Sequence, residues 1–583
     1  MNSMNYFTEK LKAYFHDSFD KCFDIPGHEK RAQKYANLIN IGNIKEAEGA
    51  DRIASCMERS LLPKEKLIQE FNEIRHPLCE GVLKVDLKPP LDKILIIYDE
   101  IKNKIPNEEN DKFLYIWRNI QKIAFKTLKD EEVAKYISIL PADTRIPDHS
   151  IWEHLKITSA INAFWDGENR ILYQNNSLLL FTIGPVQSFI SQARKTIDFF
   201  MGSYILSYLT FIAMKVVIEK YGPTSIIYPD LYKQTLMDNF LIKKGIKIED
   251  IFDEKTLLNP TIPNRFVSIL PETEETKIKE IAQLIEINIK ETLNEAINII
   301  FKELNIRPNE KHKNKIDSQL SEFPEIYWTS IPWKVNGRDI VLNDLSLFFK
   351  NDFLKGWEDL WGFAQKRGEY LPNIGFLYEV IYSALEKSMG GRKKLREFGQ
   401  FKIEEKGRKC SVCGERDVIF FNEKENKKKF ITYNDIFIDL TDEIEKGVIP
   451  LRFLANGEGL CSICFLKRTF EIYLKNIESN IFENFFFPSI AEIASSDFKE
   501  SAILKASKEY FDYQEEIKNT FGIKFYTQKV MPLPKLKFLF EEKINLDGEW
   551  FYEENLRREY FEKEFGISLT EEQIQILKEK YKR

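Results

Sequence analysis

Two cysteine pairs, Cys410-Ser-Val-Cys413 and Cys461-Ser-Ile-Cys464, constrain this chain more than any other feature of its sequence. Two residues between thiolates let both sulfurs turn toward one ion, and two such knuckles complete a tetrahedral four-cysteine zinc site. Whatever folds between residues 413 and 461 must therefore return to where it started. Gly414 suits the tight turn after the first knuckle. Four thiolates leave no open coordination position, so the expected zinc is structural. Seven cysteines in 583 residues make no disulfide framework, and a reducing, cytoplasmic compartment fits. Cys22, Cys56 and Cys79 lack ligand spacing and read as core residues.

A chain of this length exceeds one hydrophobic core, so two to four domains are expected. The net charge of −6, from 85 basic and 91 acidic residues, argues against nucleic acid gripped over the whole surface. It leaves room for a local basic channel or for partners that carry the nucleic acid. The N-terminus lacks the apolar core and cleavage site of a signal peptide. The longest apolar stretch, Tyr204 to Ile218, contains Lys215 and is shorter than a bilayer span, so a buried helix and no membrane anchor is expected.

Pattern separates three regions of an α+β multidomain protein. Residues 1–165 read as mostly helical, with no alternating strand run. In residues 170–400, LLLFTIG (Leu178 to Gly184), SIIYPD (Ser225 to Asp230), RFVSIL (Arg265 to Leu270) and EIYWTSI (Glu325 to Ile331) are short apolar strand candidates. A helical stretch from Val186 to Tyr221, with a break expected near Gly202-Ser203, follows the first. A long amphipathic helix carrying Ile278, Ile281, Ile285, Ile289 and Leu293 along one face precedes the fourth. The order β-α-β-β-α-β is the ferredoxin-like arrangement that also builds polymerase and cyclase palms. It gives a fold and not an activity. Residues 401–583 hold the zinc knuckles and then mostly helical patterns.

Five of the six histidines fall in the first region: His16, His28, His76, His149 and His154. His16-Asp17 and Asp148-His149 are adjacent pairs of the kind that helical HD-type phosphohydrolases use to hold one or two metals. His16, Asp17, His76, Asp148, His149 and His154 are therefore the candidate ligands, with His16 and Asp17 as the catalytic pair. The alternative is that each His only satisfies a hydrogen bond in a core. Asp51 reads equally as a ligand or a helix cap, and His28 as an exposed helix residue. Basic side chains crowd from Arg392, Lys393, Lys394 and Arg396 to Arg408. A solvated face is the default reading, and contact with a nucleic-acid backbone is the sharper one.

FTIGPVQSFISQARKTIDFFMGSYILSYL (Phe181 to Leu209) closely resembles the first palm of the large subunit of type III-B (Cmr) CRISPR effector complexes. LPADTRIPDHSIWEH (Leu140 to His154), GRKCSVCGERD (Gly407 to Asp417) and CSICFLKR (Cys461 to Arg468) resemble other motifs of that family. FHDSFDK (Phe15 to Lys21) looks like its permuted HD motif, continued by ADRIAS (Ala50 to Ser55). The resemblance implies an HD nuclease domain over 1–165, a palm over 170–400 and a zinc-bearing helical domain over 401–583. It also implies the other Cmr subunits, CRISPR RNA and target RNA as partners, single-stranded DNA as substrate, and a transition metal such as Mn²⁺ or Ni²⁺ at the HD site. The family's second palm carries a Gly-Gly-Asp-Asp hairpin that this sequence lacks; its only Gly-Gly, Gly390-Gly391, is followed by Arg392-Lys393-Lys394. LDGEWFYEENL (Leu546 to Leu556) resembles the segment shortly before that palm, and the chain is expected to stop ahead of it.

The palm that is present ends its first strand in Gly184-Pro185 with no acid, so it reads as non-catalytic. At most it offers half a nucleotide site through Gly184, Gln187 and Ser188, where a strand-to-helix turn aims N–H groups at a phosphate. ATP binding would need a second palm. Three functions stay open: an RNA-guided effector subunit with an HD nuclease for single-stranded DNA, a non-catalytic scaffold with a decayed HD site, and a stand-alone HD phosphohydrolase.

Overall fold

The computed structural model describes residues 6–59, 71–87, 91–162, 176–250, 261–368, 370–395, 407–422, 437–477, 490–521, 546, 548–565 and 568–582. Contacts divide the chain into two compact units. The first comprises Met1–Ile183, Ser207–Ile289 and Ile326–Phe398; the second comprises Gly184–Leu206, Lys290–Glu325 and Gly399–Arg583.

The first unit opens with α1 (Tyr6–Tyr14), α2 (His28–Leu38) and α3 (Glu48–Glu58). A small hairpin, β1 (Glu73–Arg75) and β2 (Val82–Lys84), precedes α4 (Leu91–Lys104), α5 (Glu109–Thr127) and α6 (Ile151–Ile161). The hairpin stands within the expected mostly helical region, and three-residue strands are too short to show alternation. It corrects the reading of Cys79, which lies exposed in the hairpin loop, whereas Cys22 is buried.

β3 (Ser177–Gly184) is followed by α7 (Gln187–Ser191), α8 (Thr196–Tyr221) and β4 (Ile226–Tyr228). α9 (Thr235–Lys243), β5 (Arg265–Leu270), α10 (Glu275–Glu303), α11 (Glu310–Ser321) and β6 (Glu325–Pro332) complete the series. The four strands are the four expected segments, and they align as β4-β5-β3-β6 with β5 antiparallel to both neighbours. Leu178 and Leu180 of β3 pair with Ile269 and Val267 of β5. All four enter a buried cluster with Ala50, Ile53 and Ala54 of α3 and Ala160 and Ile161 of α6. Each such aliphatic side chain contributes about 1.5–3 kcal/mol on burial. The cluster thus fixes α3 and α6 against the sheet, and these helices carry the site described below. The hairpin β7 (Lys334–Val335) and β8 (Arg338–Asp339) turns through Asn336 and Gly337, both at positive φ, as a two-residue turn requires. α12 (Asn351–Arg367) and α13 (Tyr378–Lys394) end the unit, α13 adding Val380, Ile381, Ala384 and Leu385 to the same cluster.

α8 runs unbroken through Gly202, which corrects the expected break there. The interruption lies earlier, at residues 192–195, where the Asp198 carboxylate accepts from the Arg194 and Lys195 amides at 3.1 Å each and starts a new helix. Gly202 instead permits close packing, since a Cβ there would lie 3.3 Å from the Ile190 Cα. α8 is long and apolar enough to cross a membrane by length and composition alone, yet 78% of its most apolar window is buried inside the protein.

In the second unit, β9 (Phe420–Asn422) pairs in parallel with β10 (Ile438–Asp439) and antiparallel with β11 (Glu458–Leu460). α14 (Thr441–Glu445) lies between β10 and β11, and α15 (Ser462–Ile477) follows. The Phe465 ring of α15 stacks on Phe420 with centroids 3.9 Å apart. A separate cluster of Ile503, Tyr510, Tyr513, Ile517, Trp550 and Leu577 organises the last helices.

Candidate metal centre

Among the described residues, two groups of metal-ligating side chains converge: His16, Asp17 and His154, and the four knuckle cysteines. The first group is assembled from the end of α1 and from α6. His16 and Asp17 lie just beyond α1, and the His16 Nδ1 sits 2.6 Å from the Ala13 carbonyl, which turns Nε2 inward. α6 begins at the Ser150 cap, whose Oγ accepts from the Glu153 amide at 3.3 Å, and it carries His154 into the interior, 2% exposed. His16 Nε2 and His154 Nε2 lie 3.1 Å apart.

α3 supplies carboxylates that the two His-Asp dipeptides did not reveal. Asp51 Oδ1 is 3.2 Å from His154 Nε2 and 3.6 Å from His16 Nε2. Two turns on, Glu58 Oε2 is 2.9 Å from the other nitrogen of the same ring, His154 Nδ1. Asp17 Oδ2 lies 3.3 Å from His16 Nε2 and 3.7 Å from His154 Nε2. Its second oxygen meets His28 Nε2 at 3.2 Å, while Lys21 Nζ approaches Oδ2 at 2.6 Å.

Burial by itself would lower His16, but the Asp17 and Asp51 carboxylates override it and lift it to about 10. His154 behaves likewise: burial opposes its charge, and Glu58 and Asp51 raise it to about 9. Burial pushes Asp17 up, and the Lys21 ammonium and His16 hold it well below the usual carboxylate range. For Glu58 burial is likewise outweighed, by His154 and His149, and it falls to about 2. Two imidazoles facing each other inside a ring of carboxylates form a pocket that demands positive charge. Imidazole nitrogens with carboxylate oxygens are the donor set that suits divalent transition metals, so His16, Asp17, Asp51 and His154 fit such an ion.

The other predicted residues stand elsewhere. His149 Nε2 is 3.2 Å from Glu58 Oε2, and its Nδ1 is 2.8 Å from Asp148 Oδ1, which places this pair behind His154 and not on the facing nitrogens. His76 is exposed at the end of β1, its Nδ1 accepting from the Leu78 amide at 3.1 Å. His28, read as an exposed helix residue, is instead half-buried against Asp17. Glu58 was missed, although Asp51 and Glu58 seven residues apart on one helix face were a usable signal. Gly184 closes β3, and Gln187 and Ser188 are exposed at the start of the five-residue α7. Arg392, Lys393 and Lys394 form the last turn of α13, where cations complement the helix dipole; Arg396 lies outside the described residues.

The second group closes the loop that the cysteine spacing demanded. Among the described residues between the knuckles lie β9, β10, α14 and β11, and Cys461 follows β11 directly. The Ser411 amide donates to the Gly459 carbonyl at 2.8 Å, tying the first knuckle to β11. Gly414 has φ +69°, as its turn requires. Cys413 Sγ lies 3.8 Å from Cys461 Sγ, the Cys464 amide donates to Cys461 Sγ at 3.4 Å, and all four sulfurs lie within 4.8 Å of one another. These four cysteines can hold a metal such as zinc.

Residues 178–302 match the family model described as CRISPR-associated protein Cmr2, N-terminal. The Cmr2 subunit of the CRISPR system Cmr of Pyrococcus furiosus is 26% identical over 552 residues. The chain is similar to Cmr2 subunits. The Cmr2 subunit of Saccharolobus solfataricus is also 26% identical, over 502 residues. These matches take in 83% and 76% of this chain but 58% and 45% of the two relatives, so the chain spans about half the length of the curated proteins it matches. A chain of the type III-B Cmr-beta complex in its apo state superposes with a TM-score of 0.63 at 20% identity, covering 96% of this chain and 60% of that one. The same complex bound to cognate target RNA gives 0.59 at 19% identity, over 95% and 59%. The chain therefore shares its mixed helical and sheet fold with a Cmr-beta component.

Proposed function

We propose that this chain is the Cmr2-type large subunit of a cytoplasmic type III-B CRISPR effector complex and that its α1–α6 region is an HD-type, metal-dependent nuclease for single-stranded DNA. Its partners are then the other Cmr subunits, with CRISPR RNA and target RNA held by the assembly. The observation that carries the nuclease reading is the meeting of His16 Nε2 and His154 Nε2 at 3.1 Å, ringed by Asp17 and Asp51. A bound Mn²⁺ or Ni²⁺ would supply Lewis acidity, lowering the pKa of a water for attack on a phosphodiester. His16, Asp17, His154 and Asp51 would hold it, His28 fixes the orientation of Asp17, and the Lys21 ammonium offers a positive charge to a scissile phosphate. The β3–β6 sheet is read as a ferredoxin-like, non-catalytic palm, since Gly184-Pro185 offers no acid at the end of its first strand. Zinc held by the four knuckle cysteines is structural.

One observation favours the scaffold reading instead: Lys21 Nζ lies 2.6 Å from Asp17 Oδ2, an oxygen that a metal would need. Cleavage of labelled single-stranded DNA with Mn²⁺ or Ni²⁺ decides between them. The nuclease reading expects cleavage by the wild type and none by His16→Ala/Asp17→Ala. Absence of cleavage by both, even with partner subunits, guide and target RNA added, leaves the scaffold.

A further inference from the structure

We propose that Glu58 is the positioning residue for the metal centre: it locks the His154 ring in the Nδ1–H tautomer and so presents Nε2 to the ion. The proposal rests on the metal reading of the His16/His154 site and adds to it a residue that no sequence motif marks.

Three observations carry it. Glu58 is the last residue of α3 and its side chain is 12% exposed, so its carboxylate has given up most of its water. Both its oxygens face one atom, His154 Nδ1, at 2.9 and 3.1 Å. The opposite nitrogen of that ring points at His16, Asp51 and Asp17. A neutral imidazole carries one proton, and a metal takes the nitrogen without it. A carboxylate fixed on Nδ1 keeps that proton away from Nε2 and raises the basicity of the ligating nitrogen.

Behind Glu58, His149 Nε2 approaches Oε2 at 3.2 Å and Asp148 Oδ1 holds His149 Nδ1 at 2.8 Å. The adjacent Asp148-His149 pair thus stands behind Glu58, within ion-pairing distance of its carboxylate but without a hydrogen bond to it. Only His154 of the two α6-side histidines aims a nitrogen at His16.

The test is Mn²⁺ binding by calorimetry on the full chain with its cysteine site loaded with zinc, the HD signal being the part that His16→Ala/Asp17→Ala abolishes. Glu58→Gln is expected to weaken that signal about 10- to 100-fold, the range typical for partners that orient ligands. His149→Gln leaves the Glu58–His154 contact in place and is expected to stay within about three-fold of wild type. Unchanged affinity in Glu58→Gln, or equal losses in both variants, overturns the proposal. A wild type with no His16/Asp17-dependent Mn²⁺ signal overturns the metal centre itself, a different failure. Should Glu58→Gln fold poorly, ¹⁵N-histidine NMR of the Cd²⁺-loaded wild type decides: Nδ1-protonated, Nε2-bound His154 supports the assignment, and the reverse tautomer overturns it.

Discussion

Arg468 holds the second unit together through charge, and removing it should be costly in a way that can be separated from lost packing. The guanidinium is fully buried on α15. It meets Asp198 through Nε and, at 2.7 Å, through Nη2, and Glu458 through Nη1 and Nη2 at 3.2 Å each. Asp198 and Glu458 are 1% and 6% exposed at their side chains. Arg468→Ala strands two buried carboxylates, and breaking such a group costs about 3–5 kcal/mol. Asp198 would keep the Arg194 and Lys195 amides, and Glu458 would keep the Ala455 amide at 2.9 Å, which points to the lower end, about 3 kcal/mol. At about 1.4 kcal/mol per factor of ten, local opening becomes roughly a hundred-fold more frequent. Hydrogen exchange of the α15 amides, followed by mass spectrometry, reads that directly. The triple variant Arg468→Met/Asp198→Asn/Glu458→Gln removes the charges while keeping acceptors for the same amides. It should recover most of the protection. An acceleration below about five-fold in Arg468→Ala would refute the argument, since it corresponds to only about 1 kcal/mol. Equal acceleration in single and triple variants would assign the loss to packing alone.

Cys461→Ser should strip the zinc from the knuckles and loosen β11 and α15, because one ligand of four and its N–H···S contact disappear; metal analysis of the purified variant checks this, and full retention of zinc refutes it. Gly375→Ala should destabilise the first unit by about 1–3 kcal/mol, since its Cβ would lie 2.2 Å from the Ile53 carbonyl oxygen of α3. Because α3 carries Asp51 and Glu58, the same substitution should weaken Mn²⁺ binding, and a melting curve with a metal titration tests both. Lys10 is fully buried with its ammonium on the Ser159 carbonyl at 3.1 Å, and burial pulls its pKa from the ordinary 10.5 down to about 7. The unfolded chain therefore binds the extra proton between pH 7 and 10.5, so stability should rise with pH across that window, by up to about 1.4 kcal/mol per pH unit. Lys10→Met should flatten that slope between pH 7 and 9, and an unchanged slope in urea titrations refutes the assignment.

The amino-acid sequence by itself determined the parts whose signals are local. The four apolar runs became β3 to β6 because each is a short apolar segment bounded by turn residues, and in β3 and β5 burial of both faces leaves a continuous hydrophobic run. The cysteine knuckles were legible because their geometry is set by a two-residue spacing, which no later packing can change. His16-Asp17 was legible for the same reason. Tertiary structure decided the rest of the candidate site. Asp51 and His154 meet His16, and Glu58 meets His154, only because α3 and α6 pack on one face of the sheet through Ala50, Ile53, Ala54, Ala160 and Ile161. Along the chain, Glu58 shows only as an acid seven residues after Asp51 at a helix end, a spacing that a solvated helix face also produces. His76 shows the converse: it falls in the same His-rich region of the sequence, yet the β1–β2 hairpin leaves it in solvent. Adjacent residues declare themselves in sequence, whereas ligands drawn from separate helices acquire a common function only when a shared hydrophobic cluster holds those helices at a fixed distance.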